Sequence, residues 1–248
     1  MLELINQVFI AAEFYMPLFL QSVLEASPLR SGVLLLPLIV TGAVFGVVCG
    51  VIIHRTGRFR EIMWVGSFFM CLGYGLFISF DANTTTGRAV GFQMIAGLGQ
   101  GILFEAPLIA IQSQVEQADI ATATATMAFV RNIAVSISVI VCGTIFQNSM
   151  SNRNSYLRGA GLPQDLLDQL DGENALANVM LPSTLENPAW EFAAKQAFAW
   201  ATRNMWIMLT VMAFLALVAS LFIEAAHLGT EHVETVTGLR KEKEPSET

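Results

Sequence analysis

Charge is what this sequence has least of. Only 13% of its 248 residues are Asp, Glu, Lys or Arg, where a soluble domain carries about a quarter. The charges are also segregated, mostly around 147–203 and after 223. With 54% hydrophobic residues and a mean hydropathy of +0.58, the chain is read as an all-α integral membrane protein. The net charge of −7 does not describe an acidic soluble surface. The tail Glu224–Thr248 alone holds six acidic and three basic side chains, and is expected to be an acidic, disordered, solvated end. A basic footprint for nucleic acid is missing. Cysteine is scarce: Cys49, Cys71 and Cys142 all fall inside apolar runs, which excludes a secreted disulfide framework and suits packing between helices. The three histidines lie in a loop and in the tail, and no HExxH, Gly-x-Ser-x-Gly or phosphate-binding glycine loop occurs. Neither an enzyme nor a metal or cofactor protein is indicated. Met-Leu-Glu at the start places no basic stretch ahead of the first apolar run, so no cleavable signal peptide is expected.

What is present is a series of long apolar runs. Ser31–Ile53 and Ile62–Phe80 contain no charged residue. Each is long enough to cross a bilayer core, which takes about 20 residues at a rise of about 1.5 Å. The full reading is six spans, at about 4–24, 31–53, 62–80, 89–112, 121–146 and 204–223. Between the second and third lies Gly50–Arg60, GVIIHRTGRFR, the densest basic cluster outside the one long connection. A tight basic turn between two spans marks the cytoplasmic side. That places both termini in the cytoplasm and the long loop 147–203 outside. In that loop the stretch Asn148–Asn154 is expected to be irregular, Pro163 to open a short helix through Leu170, and Asn187-Pro188 to start another. Trp190, Phe192, Phe198 and Trp200 suit a helix lying at headgroup level. Asn83-Thr84-Thr85 is a glycosylation sequon, expected to be unused so close to two spans.

Charged side chains within a bilayer are costly and usually face a bundle interior or a watery cavity. They fall on the first, fourth and fifth spans, as Glu13, Glu105 and Arg131. The third and sixth spans are apolar all round and are expected to face lipid. Gly42, Gly46 and Gly50 form a ridge on the second span that another helix can approach closely. Glu105 shares its face with Gly101 and Gln112. Pro107 removes a backbone donor and frees the Leu103 carbonyl. Glu105 is a candidate proton or cation site, or a structural acid. Arg131, with Thr124 and Ser138 on its face, is its candidate partner, either as a static ion pair or as one exchanged during turnover. Glu13 precedes Pro17, where the helix is expected to bend; it is either a titratable group facing a cavity or a structural acid.

Gly50, Arg55, Gly57 and Arg58 resemble the loop signature G-x-x-x-D-R-x-G-R of the major facilitator superfamily, with His54 standing where the family has Asp. Phe14–Pro37 (FYMPLFLQSVLEASPLRSGVLLLP), Gly97–Gln112 (GLGQGILFEAPLIAIQ) and Ala121–Val139 (ATATATMAFVRNIAVSISV) resemble its fourteen-span drug:proton antiporter branch, in particular the fungal members. The resemblance implies the six-helix C-terminal half of the major facilitator fold, with a long external loop before the last helix. It implies a plasma-membrane, proton-coupled exporter of hydrophobic small molecules such as toxins, drugs or secondary metabolites. It also implies a cytoplasmic latch in which Arg55 or Arg58 pairs with Glu116 or Asp119; His54 cannot supply the fixed negative charge of the family's Asp. Gly97 and Gly101 belong to its packing face on the fourth span. Since the family fold has two such halves, three expectations follow. The chain is a fragment or truncated product lacking its N-terminal half, a homodimer, or a membrane scaffold or partner without transport activity.

Overall fold

The computed structural model describes the backbone of residues 2–112 and 115–222, and the side chains of 10–222 apart from those at 105, 109, 110, 113 and 114. The expected acidic tail lies outside the described residues. Those described form helices joined by turns: α1 (Leu2–Ser22), α2 (Pro28–Thr56), α3 (Arg60–Phe77), α4 (Thr86–Gln112), α5 (Ile120–Ser151), three short helices α6 (Asn154–Gly159), α7 (Gln164–Gln169) and α8 (Asn174–Ala177), and α9 (Pro188–Ser220). Four of the helical runs are long and apolar enough to cross a membrane: Pro28–Thr56, Thr86–Leu108, Gln117–Gly159 and Pro188–Ser220. α1 and α3 have 21 and 18 residues and are packed into the same bundle.

Local chemistry sets the helix ends. The Ser27 side chain accepts from the Arg30 N–H and Pro28 opens α2, so a fixed φ and a side-chain cap start the helix together. Gly57 closes it at φ 65°, and its N–H donates to Ile53 O at 2.8 Å. That left-handed conformation carries a Cβ penalty for other residues, which accounts for the glycine in the basic turn. Asn187 caps α9 by accepting from the Ala189 N–H at 2.9 Å, with Pro188 first in the helix, as the sequence predicts. Pro163 likewise precedes α7.

α4 lies between α2 and α3, and α9 packs on α1, α3 and α5. The α2–α4 crossing is nearly bare backbone. A Cβ on Gly97 would overlap the Leu38 carbonyl, and one on Gly101 would overlap the Gly42 carbonyl. The α3–α4 crossing uses the same device: a Cβ on Gly73 would sit 2.5 Å from Ala96 Cα. Close approach of this kind maximises dispersion contact where lipid offers no hydrophobic drive. Toward the α3–α4 turn the bundle is filled by aromatic rings. Phe80 stacks on Phe19 at 4.8 Å, on Phe77 at 5.1 Å and on Phe92 at 5.7 Å, and Phe77 meets Trp206 edge-on at 5.2 Å. Polar ties clip the helices together. Tyr15 Oη donates to Val139 O (2.8 Å), Trp64 Nε1 to Ser220 O (2.8 Å), and Asn204 Nδ2 to Ser149 Oγ (2.9 Å). Lys195 Nζ bridges Glu25 Oε2 (2.9 Å) and Glu191 Oε1 (2.6 Å), tying the α1–α2 turn to α9.

Two expectations are corrected. The stretch Asn148–Asn154, expected to be irregular, is helical through Ser151 as the end of α5, and α6 begins at Asn154. α6, α7 and α8 fill the connection, and α9 runs unbroken from Pro188 to Ser220. The alanine-rich stretch after Pro188 favours helix, and Ala193, Ala194, Ala197 and Phe198 are buried in the bundle. Hence Phe198 lies against Phe146 at 5.9 Å, inside the bundle. α9 buries one face against the bundle and, within 204–222, exposes Ile207, Val211, Phe214, Leu215, Val218, Leu221 and Phe222, while α2 exposes Val40, Val44, Val47, Val48, Val51 and Ile52. Small residues let α9 accept three neighbours, and an apolar surface by itself does not say which of lipid or protein covers it. The second correction divides the ridge: Gly42 meets α4 at the crossing, but nothing lies within 4 Å of a Cβ on Gly50.

Candidate functional site

Nearer the end that carries the basic turn, α1, α2 and α4 line an open cavity of about 690 Å³. One wall is the smooth side of α2, with Gly42, Gly46 and Gly50. The other is α4, with Gln100, Gly101 and Phe104. Glu13 of α1 supplies the carboxyl group. Pro17 has no N–H, so it leaves the Glu13 carbonyl without its helical donor. Pro107 does the same for Leu103 on α4.

Gln100 Nε2 donates to Glu13 Oε1 across the α1–α4 boundary, and Gln100 itself is buried. A primary amide offers both a donor and an acceptor. It can therefore stay bonded to Glu13 as carboxylate, through Nε2, and as carboxylic acid, through Oε1. In an apolar, glycine-walled cavity that pairing lowers the cost of holding an ionisable group in either form. Gln100 is missing from the sequence reading. The signal was available: an amide within an apolar run of bilayer length asks for a partner just as a carboxylate does.

The other candidates fall close by. Arg131 is half-buried, and its guanidinium lies over the Phe104 ring, 4.6 Å from the centroid. That puts an α5 cation on the ring that closes the cavity and leaves a cation–π contact across α4 and α5. Gln112 Nε2 donates to Thr124 Oγ1 at 3.2 Å, so the polar faces assigned to the fourth and fifth spans do meet. Ser138, on the same α5 face, bonds locally to Val135 O. The Glu105 side chain lies outside the described residues. The latch pairs do not form in this structure. Arg55, Arg58, Glu116 and Asp119 are all exposed, and among the described residues no ion pair joins them. His54 is exposed beside them, and Arg60 instead pairs with Glu61 at 3.7 Å. Asn83 is exposed at the α3–α4 turn, its N–H donating to Asp81 Oδ1 at 3.0 Å.

A bundle of apolar helices around a cavity where a half-buried carboxyl group meets a buried amide is the architecture of a multi-pass membrane protein. The chain belongs to the Major Facilitator Superfamily, whose family model matches residues 2–139. It is 39% identical to "Efflux pump dotC" of Dothistroma septosporum over 236 residues, 95% of this chain and 40% of that protein. It is 37% identical to "MFS-type transporter ppz2" of Metarhizium majus over 237 residues, 96% of this chain and 41% of that protein. It is 30% identical to the "Acurin A biosynthesis cluster MFS-type transporter" of Aspergillus aculeatus over 193 residues, 78% of this chain and 35% of that protein. The chain thus spans about 40% of the length of the first of these relatives. No solved structure matches it.

Proposed function

We propose that this chain forms one six-helix half of a proton-coupled exporter of lipophilic small molecules, secondary metabolites or toxins, at the plasma membrane. In this reading α1 and α3 cross the bilayer with the four longer helical runs. Both termini face the cytoplasm, because Arg55, Arg58 and Arg60 cluster at one turn. The observation that carries the reading is the Glu13–Gln100 pair set into the cavity. A carboxyl group whose partner serves both protonation states can take up and release a proton without an unpaired polar atom. The glycine and valine walls accept an apolar solute of many shapes. Arg131 and Glu105 form a second proton-coupling pair, and Arg55 or Arg58 engages Glu116 or Asp119 only in another conformation of the cycle. The relatives' names, efflux pumps and a biosynthesis-cluster transporter, support the export direction and the metabolite class.

The coverage of about 40% of a relative supports a partner for the apolar face of α2 and α5. That partner is the N-terminal half or a second copy. It also favours one rival reading, a half-transporter that does not transport and serves as a membrane scaffold. Dye efflux driven by a pH gradient tests both. The full chain is assayed in proteoliposomes, alongside the longer product if the upstream reading frame encodes further spans. Glu13→Gln is expected to abolish pH-driven efflux while leaving membrane insertion intact; unchanged efflux would remove Glu13 from the proton path. Efflux from neither preparation would leave the scaffold reading.

A further inference from the structure

At the other end of the bundle lies a second, smaller cavity, of about 200 Å³. Its walls are of a different kind. Arg153, from the turn after α5, and Arg203, from α9, both line it, with Gln196, Trp200, Phe80 and Asp81. Two guanidinium groups therefore face one concavity. Among the described residues neither forms an ion pair. The single acid on the wall, Asp81, forms no ion pair with them; its Oδ1 accepts from the Asn83 N–H at 3.0 Å and from Thr84 Oγ1 at 3.1 Å.

The site is built rather than loose. The Arg153 guanidinium lies 4.2 Å from the Trp200 ring centroid and 5.2 Å from that of Tyr156. Tyr156 Oη in turn donates to Gln196 Oε1 at 2.5 Å. Stacking of this kind fixes the plane of the fork before any ligand arrives. Arg153 Nε is buried without a hydrogen-bond partner, and a buried donor of that kind calls for an acceptor. Arginine forks fit the oxygens of a phosphate in a bidentate manner. The cavity sits beside the α3–α4 turn with Trp200 in its wall, and tryptophan is enriched where membrane proteins meet the headgroups.

We propose that this cavity binds a phosphate group, and that the residues holding it are Arg153 and Arg203. Two sources carry that chemistry, the headgroup of an anionic phospholipid and a free phosphate anion. In either case the ligand pins the turn after α5 to α9, the two segments that supply the arginines. The proposal goes beyond the transport reading and does not rest on it.

The test uses the full chain in two arms. In the first, nanodiscs doped with phosphatidylglycerol are dissociated and the lipid retained on the protein is read by native mass spectrometry. In the second, inorganic phosphate is titrated into lipid-depleted detergent solution and the melting temperature is followed. The variants are Arg203→Gln, whose exposed side chain makes it safe for folding, and the double Arg153→Gln/Arg203→Gln. Arg88→Gln at the same end serves as control. Helical circular dichroism in chloride buffer checks each fold. Retained phosphatidylglycerol in wild type and the control, weakened in the single variant and lost in the double, establishes a headgroup site. A phosphate-dependent rise in melting temperature that follows the same order, without retained lipid, establishes a free-phosphate site. Lipid and phosphate responses unchanged in Arg203→Gln, or lost equally in Arg88→Gln, would overturn the assignment.

Discussion

The two ends of this bundle are built on opposite principles from the same helices. Toward the basic turn, α1, α2 and α4 line a hollow whose walls are mostly glycine and apolar side chains, with one amide and one carboxyl group. Toward the α3–α4 turn, α1, α3, α4 and α9 close over Phe19, Phe77, Phe80 and Trp206, all essentially inaccessible. Between them α2 and α4 touch backbone to backbone at Gly42, Gly97 and Gly101. The contrast teaches how side-chain size decides where the bundle is filled and where it stays open. Large rings fill volume and exclude water, whereas a helix face without side chains leaves volume open. A glycine crossing holds the two regimes together because it fixes the helix separation and leaves no side chain to adjust it.

Three substitutions break or sharpen that contrast, from the strongest to the weakest. Trp206→Ala empties the filled end and is expected to cost about 3–5 kcal/mol, the range for deleting a large buried aromatic. Thermal melting of the purified chain in detergent reads it; a loss below 1 kcal/mol would mean that the aromatic end is not the rigid one. Gly101→Ala forces a methyl group into the Gly42 carbonyl at the crossing, and a cost of about 1–3 kcal/mol is expected for overpacking. The same melting assay applies, and a cysteine crosslink between α2 and α4 reports whether the helices have parted. Gly50→Ala, eight residues along the same ridge, meets nothing within 4 Å. It is expected to be neutral or to stabilise by up to about 1 kcal/mol through helix propensity, while narrowing the cavity. If Gly50→Ala and Gly101→Ala cost the same, the division of the ridge into a packing part and a lining part fails.

The hollow end was partly legible beforehand. Glu13 and Arg131 stand out because charge within a bilayer-length run demands an explanation, and both lie on or beside the cavity. Gln100 carried a signal in its place in an apolar run of bilayer length, but nothing in the run names its partner. Its importance comes from the α1–α4 contact, which no spacing along one helix reveals. The latch residues were legible as a motif, and Gly57 does close α2 in the left-handed conformation. Whether the arginines of the turn meet an acid depends on how two loops approach, and here they do not. Arg153 and Arg203 are fifty residues apart, and only the packing of α9 against the end of α5 brings them to one cavity.

Composition and run length determined by themselves that this chain is a helical membrane protein, and its loop and helix motifs determined its family. Both follow from properties local to one segment: the free energy of transferring side chains to lipid, and the backbone conformation that a glycine permits. Only the tertiary structure decided which apolar helix is buried and which is exposed, which glycines pack and which line a cavity, and which polar groups pair. An apolar surface is equally at ease against lipid, protein or an empty wall, so the choice rests on the shapes of its neighbours.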